Sequence, residues 1–218
     1  MLVRRLGSRR GRHWATAGVL VLTLAAASCG HLNTNGRSPS YLVIDTLQAA
    51  SGADPSAFSS TLESDVVTNV MVTVGSQQVA QPTTYEDPGQ VKLRLVLKDQ
   101  GTANAVTSPT LTNAITVTRY HVAFTRSDGR KTEGVDVPYA FDGAATGTSG
   151  DSGGTLNFVL VRAQAKLEAP LRALRGGGGA VVISAIANIT FYGKDQNGNE
   201  VSVTGSISVN FADWGDPA

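Results

Sequence analysis

Residues 180–211 read AVVISAIANITFYGKDQNGNEVSVTGSISVNF, and this stretch decides the fold class. Residues 180–192 are an apolar, partly β-branched run that predicts a long buried strand. In residues 201–211, apolar residues or glycine alternate without a break with serine, threonine or asparagine. A helix cannot bury a pattern of period two on one side, whereas a strand can. Asn197 and Gly198 supply a tight turn, so the stretch predicts a β-hairpin.

Shorter strand patterns occur upstream, at residues 41–44, 69–74, 91–98 and 156–160. In residues 91–98 the hydrophobic side chains recur at every second position and basic side chains lie between them, which predicts a half-buried strand. Strands joined by short polar turns are typical of antiparallel sheets.

Residues 115–126 predict another strand with an irregularity inside it. Ile115 and Val117 are in one phase of the alternation, and Tyr120, Val122 and Phe124 are in the opposite phase. A β-bulge near Thr118 and Arg119 would produce this slip. The Asp-Gly pair in residues 127–130 then predicts a hairpin turn.

Three segments depart from the strand pattern. Asp54 followed by Pro55 is typical of a helix start and predicts a short helix over residues 55–63. Residues 143–154, GAATGTSGDSGG, predict a flexible loop because their side chains are too small to pack. Leu167, Leu171 and Leu174 predict one or two helical turns within residues 167–175, which Pro170 limits.

Together these patterns predict an all-β fold, an antiparallel immunoglobulin-like sandwich of about seven to nine strands with one or two short helices. TRYHVAFTRSDGR, residues 118–130, resembles the central strand and hairpin of fibronectin type III-like domains. ITFYGKDQNGNEVSVTG, residues 189–205, resembles the last hairpin of bacterial immunoglobulin-like domains. The predicted sandwich covers residues 41–213, with a tail at 214–218, and a division into two domains stays open.

The first 28 residues have the composition of a signal peptide. Five arginines and no acid precede an apolar segment, residues 15–27, of only 13 residues. A bilayer-spanning helix needs about 20 apolar residues, so this segment favours a cleaved export signal. An ordinary secretory signal, an uncleaved anchor and a twin-arginine signal at Arg9 and Arg10 remain alternatives.

The residues Ala26, Ala27, Ser28 and Cys29 resemble a bacterial lipobox, and the chain as a whole resembles exported bacterial lipoproteins. This resemblance implies cleavage between Ser28 and Cys29, a diacylglycerol thioether on Cys29 and an acyl chain such as palmitate on the new amino terminus. Residues 29–40 would then form a flexible tether. Gly30 in place of aspartate resembles lipoproteins sorted to the outer membrane of cells that have two membranes; periplasmic or surface display stays open.

The charge and cysteine content exclude several classes of protein. Without residues 1–28 the chain has 190 residues, 13 of them basic and 17 acidic, which gives a formal charge of −4. A mildly acidic chain is not expected to bind nucleic acid. Because Cys29 is the only cysteine, internal disulfides and cysteine-rich metal sites are excluded.

Candidate catalytic residues are few. After residue 28 the histidines are His31 and His121, and no G-x-S-x-G motif accompanies them. His121 could join a hydrolase triad, but a histidine on the surface of a sheet is the better explanation of it. The sequence nominates no pair of glycosidase carboxylates, although acidic side chains lie in predicted loops at Glu86, Asp87, Glu133 and Asp136.

Calcium is the metal that the side chains fit best, because oxygen ligands recur at Asp195, Asn197 and Asn199. Glu200 stands where an EF-hand loop needs glycine, so a hairpin turn explains the same residues. Asp142 and Asp151 offer a second, weaker calcium site. A basic segment that contains Arg162, Lys166, Arg172 and Arg175 predicts a solvated face, or else contact with acidic lipids or an acidic partner.

These observations favour a lipid-anchored, noncatalytic protein of the bacterial cell envelope whose immunoglobulin-like domain binds or scaffolds other components. No cofactor is expected, and the ligand is not indicated. The alternatives are an envelope hydrolase that acts on glycans or esters and a structural subunit of an envelope assembly.

Overall fold

A computed structural model of the chain describes residues 36–214. The predicted signal peptide, Ser28, Cys29, most of the predicted tether and residues 215–218 lie outside the described residues. The folded body begins slightly earlier than the predicted boundary at residue 41, because Ser38 and Ser40 are buried.

The described residues form a mostly β structure, which confirms the predicted all-β class. The strands are β1 (Ser40–Ala49), β2 (Thr61–Asp65), β3 (Thr68–Val74), β4 (Gln77–Thr83), β5 (Asp87–Leu97), β6 (Gly101–Thr102), β7 (Ala105–Val106), β8 (Ile115–Arg126), β9 (Phe141–Ser149), β10 (Gly154–Val161), β11 (Ile183–Asp195) and β12 (Glu200–Ala212). The α-helix α1 (Ala163–Leu167) and two short 3-10 helices (Leu111–Asn113 and Leu171–Leu174) complete the secondary structure of residues 36–214.

Two main sheets contain most of the strands. One has five strands in the order β2-β12-β11-β8-β9, and the other has three in the order β1-β5-β10. Neighbouring strands are antiparallel except β2, which runs parallel to β12. The hairpins β3–β4 and β6–β7 form separate two-stranded sheets.

The predicted carboxy-terminal hairpin is confirmed. β11 and β12 pair without interruption from Ile183 opposite Phe211 to Lys194 opposite Glu200. Gly198 lies in the turn with a φ of 81°, a left-handed conformation that glycine adopts readily. The alternation in residues 201–211 therefore places one set of side chains in the core and the serines and threonines outside.

The predicted bulge in β8 is confirmed as well. Val117 pairs with Gly193 and Arg119 pairs with Tyr192, so Thr118 is the extra residue on β8. The register with β9 shifts at the same place. The bulge explains why the buried side chains change phase between Val117 and Tyr120.

The inner faces of the two main sheets share one hydrophobic core. Its centre is aromatic: the ring of Phe158, on β10, lies 5.4 Å from that of Tyr120 and 5.2 Å from that of Phe191, both on the five-stranded sheet. The Tyr120 hydroxyl accepts a hydrogen bond from the Val159 N–H group, and burial raises the pKa of Tyr120. Edge-to-face contacts of this kind contribute about 0.5–1.5 kcal/mol each beyond the area they bury.

The prediction of a flexible loop at residues 143–154 was wrong, because most of this segment is the edge strand β9. Small side chains are needed here rather than merely tolerated. A Cβ atom at Gly143 would overlap the ring of Tyr120, and one at Gly147 would lie 2.8 Å from Leu156 Cδ1. The glycines thus make room for large core side chains from other strands.

The predicted helix over residues 55–63 was also wrong. The Asp54 carbonyl accepts a hydrogen bond from Ala57 N–H in a single turn, and Ser59 then pairs with Ala49. Residues 61–65 form β2, whose pairing with β12 satisfies the backbone groups that a helix would have satisfied internally.

Two further boundaries differ from the predictions. Leu171 and Leu174 are buried in a 3-10 turn, but the α-helix lies before them, and Leu167, which was expected on the same face, is exposed. The Asp-Gly turn after β8 exists, with Gly129 N–H donating to the Arg126 carbonyl. The chain then runs irregularly to residue 141 instead of returning directly as a strand.

The two main sheets share two ends, which are named here by residues that lie at them. At the Ser40 end, Ser40 pairs with Leu97 and Ile115 pairs with Asp195. At the opposite end, here called the Lys166 end, Ala49 pairs with Gly89, and Asp65 pairs with Ala212.

The Lys166 end contains a buried ion pair. Lys166 Nζ lies 2.7 Å from Asp87 Oδ1, and the two side chains are 1% and 0% exposed. Asp87 Oδ1 also accepts the N–H group of Gly52 at 2.8 Å, and Oδ2 accepts the hydroxyl of Ser64 at 2.6 Å. Burial raises the pKa of Asp87, while Lys166 and these hydrogen bonds oppose that rise. The carboxylate thus joins four separate segments of the chain.

We expect Lys166→Met to lower the free energy of unfolding by about 3–5 kcal/mol at pH 7, because it leaves a buried carboxylate without its cation. Without Lys166, the folded state holds the Asp87 proton to a higher pH than the unfolded state does. The stability that Lys166→Met loses relative to the unmodified protein should therefore become smaller as the pH falls toward about 4. Urea denaturation at several pH values measures both effects.

The matched control is Lys92→Met on the exposed face of β5, which should change stability by less than about 0.5 kcal/mol. Combining Lys166→Met with Asp87→Asn removes both buried charges and should restore most of the lost stability. A double variant no more stable than the single one would contradict this account.

Candidate functional site

The outer face of the five-stranded sheet, on the side away from the core, is mostly lined by small polar side chains. They hydrogen bond to one another across neighbouring strands, in the pairs Ser184–Asn210, Asn188–Ser206, Thr190–Thr204 and Thr116–Thr148. Because these groups bond to each other, most of the face offers few unsatisfied polar atoms to a ligand.

The β8 bulge interrupts this face and opens a cleft of about 270 Å³. Its walls are contributed by β8, β11 and β12, at Thr118, Arg119, Tyr192, Gly193, Lys194, Glu200, Val201 and Ser202. A side chain at Gly193 would collide with the backbone of β8 at Thr116, so glycine is required where the bulge brings the two strands together.

Arg119 and Tyr192 form the most distinctive contact in the cleft. The Arg119 guanidinium carbon lies 3.8 Å from the centre of the Tyr192 ring, a cation–π geometry. Lys194 and Glu200 face each other in register where the final hairpin turns, and both are exposed. The cleft therefore combines two cations, one carboxylate, an aromatic ring and hydroxyl groups.

His121 lies next to this cleft on the same face. Its Nδ1 is 3.2 Å from Asp142 Oδ1, and Arg119 Nη1 is 3.9 Å from the same oxygen. The residues directly opposite His121 in the adjacent strands are Thr190 and Asp142. His121 thus lies beside a carboxylate, as the histidine of a catalytic triad does. Neither of the residues directly opposite it in the adjacent strands is a serine.

The calcium candidates Asp195, Asn197 and Asn199 form the turn between β11 and β12. Asp195 Oδ1 accepts the backbone N–H groups of Asn197 and Asn199 at 2.9 and 2.8 Å, and Oδ2 accepts the Asn199 side-chain amide at 2.9 Å. Although burial opposes it, hydrogen bonding to Asn199, Ser38 and Asn197 lowers the pKa of Asp195. This geometry favours the turn interpretation, because a cation would have to compete with these donors.

The second pair proposed for calcium does not come together. Asp142 and Asp151 lie near opposite ends of β9, a separation of more than about 20 Å at the rise of a strand. Across residues 36–214, no group of three or more histidine, cysteine or acidic side chains is arranged to hold a metal ion.

The other acidic candidates have structural contacts. Asp87 is buried in the ion pair with Lys166, so it is not an exposed loop acid. Asp136 accepts hydrogen bonds from Arg130 and from the Thr132 N–H group within the connection between β8 and β9. Glu133 lies in the same irregular connection.

The prediction of one solvated basic face was wrong for Lys166, which is buried. Arg162 packs over the ring of Phe141, with its guanidinium carbon 4.5 Å from the ring centre. Arg172 and Arg175 are exposed, and Arg175 donates to the Thr84 hydroxyl. The four cations therefore do not form one solvated face.

Sequence reasoning did not nominate Arg119, Tyr192 or Lys194 as site residues. The phase slip that predicted the bulge was an available signal, because bulges often re-aim side chains at functional sites. What the slip did not indicate was that Tyr192, 73 positions beyond Arg119 in the sequence, lies beneath its guanidinium group.

No helix within the described part of the chain has the length and apolar character needed to cross a membrane. Comparisons of the chain with protein-family models, curated proteins and solved structures found no match.

We expect Asp195→Asn to lower the free energy of unfolding by about 1–2 kcal/mol at pH 7, because a neutral amide accepts these hydrogen bonds less strongly. A carboxyl whose pKa is lowered by folding stabilises the protein above its unfolded pKa, near 4, and loses this effect as the pH falls. The difference between the two proteins should therefore narrow below pH 4 in thermal or urea denaturation.

Asp151→Asn is the matched control, since Asp151 is exposed and its carboxylate accepts the N–H group and the hydroxyl of the adjacent Ser152. A stability difference between Asp195→Asn and the unmodified protein that stays constant down to pH 2 would contradict the assignment.

Proposed function

We propose that the protein is a lipid-anchored component of the bacterial cell envelope with a noncatalytic, immunoglobulin-like binding domain. The observation that carries the binding role is the cleft at the β8 bulge, where Arg119 covers the ring of Tyr192. Elsewhere on this face, polar side chains mostly hydrogen bond to one another. The cleft has exposed charge and an aromatic surface, which suit recognition of an envelope protein or glycan.

The strand order supports the immunoglobulin-like assignment. Immunoglobulin domains place strands A, B and E in one sheet and C, F and G in the other. If β1, β5 and β10 correspond to A, B and E, then β8, β11 and β12 correspond to C, F and G, and β9 corresponds to the added strand C′. The hairpins β3–β4 and β6–β7 are then insertions before and after strand B.

The lipid anchor is supported by the lipobox-like residues before Cys29. Cys29 precedes Ser40, the start of β1, by eleven residues, so an extended tether would reach at most about 40 Å. Each buried CH₂ group contributes about 0.8 kcal/mol to membrane binding, and two or more acyl chains give stable attachment. We place the anchor in the outer membrane if the cell has two membranes, with the domain either periplasmic or exposed on the surface.

The alternative of an envelope hydrolase has one observation in its favour, the 3.2 Å contact between His121 and Asp142. It has less support than the binding role because Thr190 and Asp142, not serine, lie opposite His121. A structural subunit of a larger assembly remains a second alternative, and it is compatible with the same anchor.

We expect Cys29→Ser to abolish lipid attachment, because only the thiol can form the thioether. The unmodified protein should begin at residue 29 by mass spectrometry and partition into the detergent-rich phase of a cloud-point extraction. The variant should partition into the aqueous phase or keep its signal segment.

Ser28→Ala is the control, because it keeps a small residue before the cysteine and should be processed normally. A native protein that begins at Met1, or that stays in the aqueous phase, would overturn the anchor.

We expect a photo-reactive amino acid at Ser202, inside the cleft, to form covalent adducts with the ligand in intact cells. The same group at Ser208 serves as a control, since it lies on the same exposed face of β12 about 20 Å away. Adding Arg119→Glu should reduce the Ser202 adducts at least about tenfold, a change that corresponds to 1.4 kcal/mol.

Arg94→Glu on the three-stranded sheet introduces the same charge change far from the cleft and should leave the adducts unchanged. Equal labelling from Ser202 and Ser208, or labelling that Arg119→Glu does not alter, would count against the cleft as the binding site.

A further inference from the structure

The hairpin of β3 and β4, Thr68–Thr83, forms an arm that is almost entirely exposed. Its sequence, TNVMVTVGSQQVAQPT, contains no charged residue. Met71 is 60% exposed, Val74 63%, Val79 47% and Val72 37%. An isolated two-stranded hairpin is only marginally stable in water, so this apolar arm is expected to gain stability by packing against something else.

The pairing register sorts the arm's side chains into two faces. Val72 is opposite Val79, Val70 is opposite Gln81 and Val74 is opposite Gln77. Because side chains alternate along a strand, all four valines lie on one face. Met71 and Ala80 are opposite each other on the other face. On this face Val72, Val74 and Val79 are exposed and Val70 is half-buried, so most of the valine face is open to solvent.

The two edges of the arm differ in how they are protected. β3 and β4 pair only with each other among the described strands, so each has an edge without a strand neighbour. Pro82 lies on β4 and lacks an N–H group, which discourages pairing along that edge. β3 contains no proline and no charge, the two common means of protecting an edge strand.

We propose that the β3 edge pairs with the β3 edge of a second copy of this chain, antiparallel about a two-fold axis at Val72. This register places Val70 opposite Val74 of the second copy and Val72 opposite its own equivalent. The two arms then form a four-stranded sheet with eight valines on one face. The contact is self-complementary, as a two-fold interface requires.

The absence of charge on the arm permits a second copy as the occupant. Copies without residues 1–28 each carry a formal charge of −4 and repel one another, whereas two uncharged arms can meet without bringing like charges together. The β3 edge would pair best with an uncharged β-strand that has apolar side chains, and β3 of a second copy is such a strand.

The position and size of the arm agree with a weak dimer. The arm leaves the body between Asp65 and Asp87, at the Lys166 end, whereas the tether joins at the Ser40 end. A seven-residue edge falls in the small class of interfaces, which bury less than about 1,200 Å². The proposed lipid anchor would raise the local concentration of the two copies, so a weak interface could still form dimers at the membrane. This part of the argument rests on the anchor proposed above.

Disulfide trapping in the full-length chain tests the pairing. Cross-strand partners have Cβ atoms about 4.5–5.5 Å apart, so Val72→Cys should give a disulfide-linked dimer in intact cells and in detergent solution after mild oxidation. Val79→Cys is the matched control, because it lies on the same valine face but one strand farther from the axis. We expect at least about tenfold more dimer from Val72→Cys than from Val79→Cys or from the chain with Cys29 alone.

A second variant separates pairing from thiol reactivity. Val72→Glu places two like charges across the axis and should lower the yield of amine-cross-linked dimer at least about fivefold, whereas Val106→Glu, at a residue 74% exposed on β7, should not. Equal disulfide yields at residues 72 and 79, or a Val72→Cys product whose mass is not twice that of the chain, would overturn the proposal. The latter would identify a different partner protein.

The anchor and the pairing fail in different ways. If the anchor is absent, cloud-point extraction detects this directly, and the dimer should still form in concentrated detergent solution. If Val72→Cys gives no dimer in either setting, the pairing is overturned while the anchor result stands.

Discussion

A carboxylate and an ammonium group lie 2.7 Å apart at the Lys166 end of the core, and the arrangement of that end depends on them. Asp87 joins the turn at Gly52, the end of β2 at Ser64 and the helix that carries Lys166. Replacing this pair with apolar side chains could give equal stability, because desolvating two charges is costly. We therefore interpret the pair mainly as a constraint on which segments meet, since any other pairing would leave a charge buried alone.

That constraint positions the surfaces that carry the proposed functions. Ser64 and Asp87 lie just before and just after the arm, so the buried carboxylate holds together the two ends of an exposed hairpin. On the five-stranded sheet, the bulge in β8 turns Arg119 onto Tyr192 and opens a cleft in a polar face. The molecule thus presents a charged cleft, the proposed recognition site, on a sheet and an uncharged strand edge at one end.

Strand predictions succeeded where alternation was long and failed where small residues hid it. The period of two along β12 and the phase slip in β8 depend only on side chains facing one core, so both were readable in the sequence. β9 was mistaken for a loop because Gly143 and Gly147 fill no space themselves; they leave space for Tyr120 and Leu156. Likewise, Asp54 and Pro55 are compatible with a helix start, and only pairing with β12 decides that residues 61–65 form a strand.

The sequence by itself determined the all-β class, the carboxy-terminal hairpin and the bulge, because each depends on the local periodicity of side chains. It also supplied the lipobox-like residues at Cys29, whose proposed role needs no tertiary contact. Only the tertiary structure decided that Lys166 is buried with Asp87, 79 positions earlier, and that Arg119 covers Tyr192. These contacts depend on which strands become neighbours, and that choice is made by the packing of the whole core rather than by any one segment.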